Sequence, residues 1–368
     1  MNGLNLDALQ PAYVRGFEPY IPSKPDAELM RLYGCAHLHR LNNNENALGA
    51  PPAAQAALRA FDPRRAAIYP SGDAFYLRQR LGARFGMDPD QFLVGNGANE
   101  VIAFVIKAFC EQGDNIVTAD RTFAVYEWVA TFSGIEPRLI PLRDFAFDDE
   151  GMLAAMDGRT KVLFVCNPNN PTGQYWDRER LGRFLRRVAG RCVVVIDEAY
   201  REFVEAEDFP DGMALIDEHP NLVIFRTFSK AYGLAGLRVG YLAGQRELVD
   251  AIRRTCIVYS VNALGQLAAE AALDDDDHLA RTRALVRESK ALLREELKRL
   301  GLPYVTGEGN FVMIQLPFSD TLAYRRLMGL GFMIRAMTSF RFPNWIRVSL
   351  DRVVVMDALL AALRTLVR

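Results

Sequence analysis

Between about residue 48 and residue 257, the sequence alternates short, nearly uninterrupted apolar runs with amphipathic stretches of helical length. Runs rich in valine and isoleucine are typical of strands that are covered on both faces, as in a parallel sheet. The alternation therefore predicts an α/β fold whose functional residues lie at the carboxyl ends of the strands. The predicted strands are residues 92–94, 115–118, 161–165, 192–196, 222–225 and 238–242, and the predicted helices include 98–110, 124–132 and 178–188.

The pattern changes after about residue 264. A long amphipathic helix is predicted over 278–300, followed by two short strands and then by helix, strand, strand and helix, which indicates a smaller α+β domain. The first 40 or so residues are interrupted by prolines and are predicted to form an arm. We therefore expect an arm with part of the small domain over 1–45, a large α/β domain over 46–262 and a small C-terminal domain over 263–368.

Composition narrows the class of partner. The chain has 44 basic and 45 acidic residues and a formal net charge of −1, so it offers no basic footprint to nucleic acid or to an anionic membrane. Five cysteines without CxxC spacing are typical of reduced thiols in the cytoplasm. His37 and His39 alternate along an extended stretch but have no evident third ligand, so no metal site is predicted. We expect a cytoplasmic enzyme with small-molecule substrates.

Lys230 stands in a short polar turn directly after the predicted strand 222–225, and glycines follow it. A lysine amine can form an imine with an aldehyde if burial or nearby cations lower its pKa. Thr227, Ser229 and Arg238 are suitable ligands for a phosphate group beside such an imine. Considered alone, however, Lys230 is more simply interpreted as an exposed loop lysine.

Two further strand ends carry polar side chains. Asp197 follows the apolar run 192–196, where an ionised carboxylate needs a cationic partner such as a protonated pyridine nitrogen. Tyr200 lies three residues later and is placed to reach a phenolic oxygen on the same ring. Asn170 stands in a proline-rich and glycine-rich loop, which would hold its amide rigidly towards that oxygen. A helix-capping role for Asp197 and a plain turn at Asn170 remain open alternatives.

A glycine-containing turn precedes the predicted helix 98–110. Its residues Ala98 and Asn99 would present backbone N–H groups to a phosphate at the start of the helix. The turn lacks the third glycine of a dinucleotide-binding signature, because residue 100 is glutamate. Phe123 stands at the start of another predicted helix and could stack on a planar ring, or it could be a core aromatic.

In this order and context, the motifs resemble those of the fold-type I aminotransferases that depend on pyridoxal 5'-phosphate (PLP), over nearly the whole chain. Within that group the chain is most similar to the histidinol-phosphate aminotransferases, through the segments 14–25, 41–46 and Tyr69-Pro70. Ser23 stands where that family usually has glycine. The resemblance implies a large domain with a mainly parallel seven-stranded sheet between helices, together with a small α+β domain.

The resemblance also implies a cofactor site. Lys230 would hold PLP as a Schiff base and shuttle protons, and Asp197 would contact the pyridine nitrogen. Asn170 and Tyr200 would hold the ring oxygen, and Phe123 would stack on the ring. Tyr69 would reach the cofactor phosphate of a neighbouring subunit and so make the enzyme a homodimer. The remaining cofactor ligands implied by the resemblance surround the phosphate: Ala98, Asn99, Ser229 and Arg238, with Thr227 nearby.

For the substrate, the resemblance implies that Arg347 binds a carboxylate or a phosphate, with help from Arg335 and Tyr20, and that Asn44 lies near the substrate. The implied reaction is a ping-pong amino transfer between histidinol phosphate and 2-oxoglutarate in histidine biosynthesis. The sequence departs from the family at 350–351, where a glycine is usual, and at Asn99, where aspartate is common. An aromatic amino-acid aminotransferase, a threonine-phosphate decarboxylase and a PLP-binding regulatory module remain open alternatives.

Overall fold

The structure is a computed structural model that describes residues 4–18 and 24–367. Its strands are β1 His39–Leu41, β2 Phe92–Gly95, β3 Asn115–Ala119, β4 Glu136–Ile140, β5 Thr160–Cys166, β6 Val193–Asp197, β7 Leu222–Thr227, β8 Gly240–Gly244, β9 Tyr304–Thr306, β10 Phe311–Gln315, β11 Phe332–Ala336 and β12 Trp345–Ser349. Its helices are α1 Leu6–Leu9, α2 Ala12–Arg15, α3 Asp26–Tyr33, α4 Pro52–Ala60, α5 Phe75–Phe85, α6 Ala98–Phe109, α7 Val125–Phe132, α8 Asp149–Ala154, α9 Arg178–Val188, α10 Gly212–Leu215, α11 Arg246–Arg253, α12 Ala263–Ala272, α13 Asp276–Arg299, α14 Asp320–Gly329 and α15 Val353–Val367.

The large sheet has seven strands in the order β2-β8-β7-β6-β5-β3-β4. Neighbouring strands from β7 to β4 pair in parallel, whereas β8 is antiparallel to both of its neighbours. Every residue of β6 and β7 is buried, as the continuous apolar runs predict for strands that helices cover on both sides. The expected α/β fold with a mainly parallel seven-stranded sheet is confirmed.

The helix α9 shows how local sequence places an element against this sheet. Its apolar residues recur at helical spacing, and the buried ones are Leu181, Phe184, Leu185 and Val188. The Asp177 side chain accepts a hydrogen bond from the backbone N–H of Arg180 at 2.7 Å and so caps the first turn. The helix therefore begins where its sequence predicts, with its apolar stripe facing the core.

Strand β4 was missing from the predicted strands. Its sequence, Glu-Pro-Arg-Leu-Ile, has no apolar run, and it lies at the edge of the sheet with none of its residues fully buried. An edge strand tolerates proline and charge because one side of its backbone needs no partner strand. Strand β4 was therefore not predicted because, at the edge of the sheet, it lacks the apolar run from which the other strands were predicted.

The small sheet has five strands in the order β1-β11-β12-β10-β9. Strand β1, near the start of the chain, pairs in parallel with β11, with His39 opposite Phe332. Strands β11 and β12 are antiparallel, and their register places Arg335 opposite Arg347. The expectation that the first segment supplies part of the small sheet agrees with this pairing. Among the helices of the described residues, none has the length and apolar character of a membrane span.

Candidate active site

A cavity of about 330 Å³ opens where the carboxyl ends of β5, β6 and β7 meet the start of α6. All but one of the residues predicted to hold the cofactor line it, although they come from distant parts of the sequence. These residues are Ala98, Asn99, Phe123, Asn170, Asp197, Tyr200, Thr227, Ser229, Lys230 and Arg238. The site therefore forms at the position that a parallel sheet provides for ligands, at its carboxyl edge.

Lys230 lies in the turn that follows β7 and is half-buried. Its Nζ donates a hydrogen bond to the backbone carbonyl of Asn43 at 2.7 Å. Burial, followed by the charge of Arg347, lowers the pKa of Lys230 from its usual value to about 8. The neutral form, which adds to an aldehyde, is therefore far more populated near physiological pH than in an ordinary lysine, although the charged form still predominates.

Asp197 is the last residue of β6 and is almost completely buried. Its Oδ2 accepts a hydrogen bond from the hydroxyl of Tyr126 at 2.5 Å, and its Oδ1 accepts one from the backbone N–H of Ala199 at 3.0 Å. Burial nevertheless raises the pKa of Asp197. A buried carboxylate that faces a cavity, and to which no cationic side chain of the described residues is bonded, fits a ligand that brings its own positive charge, such as a protonated pyridine ring.

A hydrogen-bonded network connects the ring side of the cavity to the small domain. The guanidinium of Arg347 donates to Oδ1 of Asn170, and the amide of Asn44 donates to the hydroxyl of Tyr200 at 2.8 Å. Ser349 donates to Oδ1 of Asn44 at 3.0 Å and accepts from its backbone N–H at 2.8 Å. The side chains of Asn170 and Tyr200 are thus oriented at the cavity by Arg347 and Asn44.

The other end of the cavity suits a phosphate. Gly97 precedes α6 with φ of +81°, and a Cβ atom there would lie 2.3 Å from Nη2 of Arg238. Only glycine therefore allows the Arg238 guanidinium to approach the start of the helix. The Thr227 hydroxyl accepts a hydrogen bond from the backbone N–H of Ser229 at 3.1 Å. A guanidinium, two hydroxyls and a helix N-terminus are the groups that bind a phosphate in proteins.

The predicted substrate residues lie beside this cavity. Arg335 lines a second, wider cavity of about 900 Å³ together with Trp128 and Tyr324. Arg347 is buried and donates both to Asn170, which lines the first cavity, and to the carbonyl of Asn42, which lines the second, the latter at 2.6 Å. Its Nε has no hydrogen-bond partner among the described residues. Tyr20 lies outside the described residues, so its predicted role stays untested.

Tyr69 is the cofactor residue that the structure does not bring to the cavity. Its side chain is 79% exposed and stacks on Tyr259, with ring centroids 4.8 Å apart. Within the single chain it is not among the residues that line the cavity. This position is compatible with the predicted contact to a neighbouring subunit, which stays a prediction.

Three residues at the site were not singled out from the sequence. They are Tyr126, which donates to Asp197, and Asn43 and Glu45, which line the cavity beside Lys230. A signal existed for Tyr126, because it stands one helical turn after Phe123. Asn43 and Glu45 flank Asn44, but Asn43 acts through its backbone carbonyl, which residue type does not reveal.

Comparisons with known proteins agree with this geometry. The family model for aminotransferase class I and II matches residues 36–363. Histidinol-phosphate aminotransferase 2 of Pseudomonas aeruginosa is 40% identical over 358 residues, which cover 97% of either chain. Histidinol-phosphate aminotransferase of Symbiobacterium thermophilum is 41% identical over 91% of this chain and 92% of its own. The crystal structure of histidinol-phosphate aminotransferase from Sinorhizobium meliloti in complex with pyridoxal-5'-phosphate superposes with a TM-score of 0.85 at 27% identity, covering 96% of this chain and 97% of that one.

The chain belongs to the class I and II aminotransferases. It is accordingly a PLP-dependent transaminase, which moves an amino group between a small-molecule donor and a 2-oxo acid. The buried carboxylate, the lysine of lowered pKa and the phosphate-binding groups described above fit that cofactor, so the cofactor prediction is confirmed.

Proposed function

We propose that this enzyme transfers the amino group of histidinol phosphate to 2-oxoglutarate, in histidine biosynthesis, by a ping-pong reaction. The observation that carries the proposal is the pairing of Arg335 with Arg347 across β11 and β12. Both guanidinium groups lie against the ring of Phe340, at 5.4 and 5.9 Å from its centroid. Two neighbouring guanidiniums suit a substrate that carries a phosphate and a second substrate that carries two carboxylates. The names of the relatives at about 40% identity support the same assignment.

In this proposal the cofactor, when bound, supplies an electron sink for the electron pair that the substrate's α-carbon gains on losing its proton. Lys230 would hold the cofactor through its amine, and its neutral Nζ would take that proton from the α-carbon. A pKa near 8 suits a group that must both accept and return a proton near neutral pH. Asp197 would keep the ring nitrogen protonated, while Asn170 and Tyr200 would hold the ring oxygen.

The remaining roles surround the ring. Phe123 would stack on its face, and the phosphate would be held by Ala98, Asn99, Ser229 and Arg238, with Thr227 orienting Ser229 through the hydrogen bond described above. Asn44 acts through Tyr200, to which it donates, and lies near the substrate. Tyr20 would assist the two arginines.

We also infer that the enzyme is a homodimer in which Tyr69 completes the neighbouring site. The stacked pair of Tyr69 and Tyr259 adjoins the exposed apolar residues Ile68, Ile257 and Val258. An exposed apolar patch of this kind is typical of a surface that another chain covers. The division into residues 1–45, 46–262 and 263–368 also remains a proposal, as does the cytoplasmic location, which the five free cysteines support.

The proposal is tested by mixing the holoenzyme with histidinol phosphate and following the conversion of the cofactor's absorbance band to that of its amine form. 2-Oxoglutarate, phenylpyruvate and other 2-oxo acids are then compared for restoring the band. Conversion by histidinol phosphate and restoration by 2-oxoglutarate are expected. Preference for phenylpyruvate would reassign the enzyme to aromatic amino acids, and release of CO₂ without any acceptor would indicate a decarboxylase.

A further inference from the structure

The short turn Thr338–Phe340, together with Arg341, follows β11 directly and lies beside both proposed anion-binding arginines. Phe340 is half-buried, and the guanidinium carbons of Arg335 and Arg347 lie over its ring at 5.4 and 5.9 Å from the centroid. Arg347 also lies over the ring of Phe311, at 5.6 Å. One aromatic side chain thus contacts two cations that would otherwise repel each other across a pair of neighbouring strands.

The turn is anchored within the small domain. The buried carboxylate of Asp320, at the start of α14, accepts hydrogen bonds from the backbone N–H and the hydroxyl of Thr338, both at 2.7 Å. Buried charge-assisted bonds of this kind are among the stronger hydrogen bonds in proteins. The beginning of the turn is therefore fixed to the same small domain that carries Arg335 and Arg347.

The end of the turn is anchored to the large domain. Arg341 donates to both carboxylate oxygens of Glu127 in α7, at 2.8 to 3.0 Å, and to the backbone carbonyl of Asp120 after β3, at 2.6 Å. Arg341 has φ of +61°, in the left-handed region that most side chains avoid. A backbone conformation of this kind persists only where surrounding contacts hold it. Here the contacts of Arg341 with Glu127 and Asp120 hold it, and they join the small domain to the large one.

We propose that Phe340 and Arg341 are positioning residues that set the affinity of the enzyme for its anionic substrates. Phe340 holds the planes of Arg335 and Arg347 through their contact with its ring, and Arg341 fixes Phe340 by fastening the turn to Glu127 and Asp120. Neither residue is among those that line the cofactor cavity, so their effect is expected to fall on substrate binding. This inference rests on the proposed function, because it assigns substrate recognition to Arg335 and Arg347.

The test compares Phe340→Leu, which removes the aromatic face, with Phe340→Tyr, which retains it. For holoenzyme we measure the dissociation constant of inorganic phosphate, and the KM and kcat with histidinol phosphate and with glutamate. Loss of a partly desolvated cation–π contact is worth a factor of about ten in affinity. Phe340→Leu is therefore expected to raise the phosphate dissociation constant and both KM values by about tenfold, with kcat within about twofold. Phe340→Tyr is expected to leave the phosphate dissociation constant and both KM values close to those of the wild type.

Arg341→Gln and Glu127→Gln test the anchor separately. Arg341→Gln, which removes the contacts to both Glu127 and Asp120, is expected to raise the same constants about threefold, and Glu127→Gln is expected to raise them by less. The double variant is expected to be no worse than Arg341→Gln alone, because Glu127 acts through Arg341. Arg183→Gln is the matched control, since it removes a surface ion pair with Glu179 in α9, far from the turn. It is expected to change none of these constants.

Unchanged phosphate affinity and unchanged KM values in folded Phe340→Leu, or effects confined to kcat, would overturn the inference. If circular dichroism shows that Phe340→Leu is misfolded, the two anchor variants decide, because their side chains are partly exposed. Failure of the proposed function appears differently, as wild-type enzyme that rejects histidinol phosphate. In that case the phosphate and glutamate measurements still test the positioning roles.

Discussion

Two charged neighbours act in opposite directions on the pKa of Lys230, and each of them can be mutated. Burial lowers it most, the charge of Arg347 lowers it further, and Glu45 raises it. Because Arg347 belongs to the small domain and Lys230 to the turn after β7, the position of one domain influences the chemistry at the other. The pKa of Lys230 therefore depends on how the two domains are arranged around the site.

Capture of PLP by the cofactor-free enzyme should depend on pH through this lysine, since only the neutral amine adds to the aldehyde. The capture rate is expected to rise with pH, with a midpoint of about 8. Arg347→Gln removes a charge that lowers the pKa and should move the midpoint upward. Glu45→Gln removes a charge that raises the pKa and should move it downward. Stopped-flow absorbance at a series of pH values measures both, and shifts of the same sign would contradict the assignment.

The hydrogen bond from Tyr126 to Asp197 is expected to contribute to stability as well as to the site. Tyr126→Phe leaves a buried carboxylate with one donor fewer, and should lower the free energy of unfolding by about 1–3 kcal/mol. Denaturant titration of the cofactor-free enzyme measures this change. Tyr175→Phe is the matched control, because it removes a similar bond to Asp208 near the surface and should cost less than about 1 kcal/mol. Equal losses in the two variants would argue against a special role for burial.

The candidate site was predictable wherever a functional side chain directly follows an apolar strand. Asp197 was located in this way, because the strand end fixes its position at the sheet edge. Lys230 lies in the turn after β7, but only the accompanying motifs and the family resemblance singled it out. Tyr126 was not located in this way, since its partner lies 71 residues away in the sequence and only the packing of α7 on the sheet brings the two together. Contacts between helices and strands are set by tertiary packing, which periodicity alone does not encode.

At the scale of elements, the loop that carries Asn170 meets the turn between β9 and β10 almost backbone to backbone. The backbone N–H of Glu308 donates to the carbonyl of Gly173 at 2.8 Å. A Cβ atom on Gly307 would lie 2.1 Å from that same carbonyl oxygen. This approach couples the loop of the large domain to the small sheet through two glycines.

Gly307→Ala should therefore force these loops apart. We expect a loss of about 1–3 kcal/mol in the free energy of unfolding, because the clash is with backbone that has no alternative rotamer. Gly329→Ala is the control, since nothing lies within 4 Å of a Cβ atom there. Urea titrations of both variants measure the difference. Two variants of equal stability would show that the loops separate without cost.

Strands were predictable from the sequence where helices cover both of their faces. The central strands β5, β6 and β7 were located to within two residues at their ends, because their apolar runs leave few alternatives. Strand β4 was missed for the lack of such a run, and β1 is only three residues long and draws its stability from β11. Edge strands and very short strands depend on partners that the local sequence does not specify.

At the scale of the whole molecule, a shared site can be tested by mixing two inactive variants. Tyr69→Ala impairs the site of the partner, and Lys230→Ala destroys the site of its own chain. If the proposed dimer is correct, a hybrid of the two holds one intact site, and an equal mixture should regain roughly a quarter of wild-type activity. Turnover after unfolding and refolding the two variants together measures this.

No recovery, with a dimer confirmed by sedimentation, would place Tyr69 outside the catalytic site. Each variant refolded alone is the control and is expected to gain nothing. The sequence predicted this residue only through the family resemblance, because an exposed tyrosine 79% accessible in one chain carries no local sign of its role. Local sequence patterns do not identify a residue whose proposed role is to contact the site of another subunit.

The pairing of β1 with β11 has a consequence for how the protein is made. Strand β1 leaves the ribosome early, but its partner begins at Phe332, almost three hundred residues later. At a synthesis rate of roughly 5–20 residues per second, β1 waits for tens of seconds without its neighbour. The large sheet can be complete by then, whereas the small one cannot. The small sheet, which carries Arg335 and Arg347, is therefore the last part of the molecule to assemble during translation. The strands that form the cofactor site can fold before the residues proposed to recognise the substrate are in place.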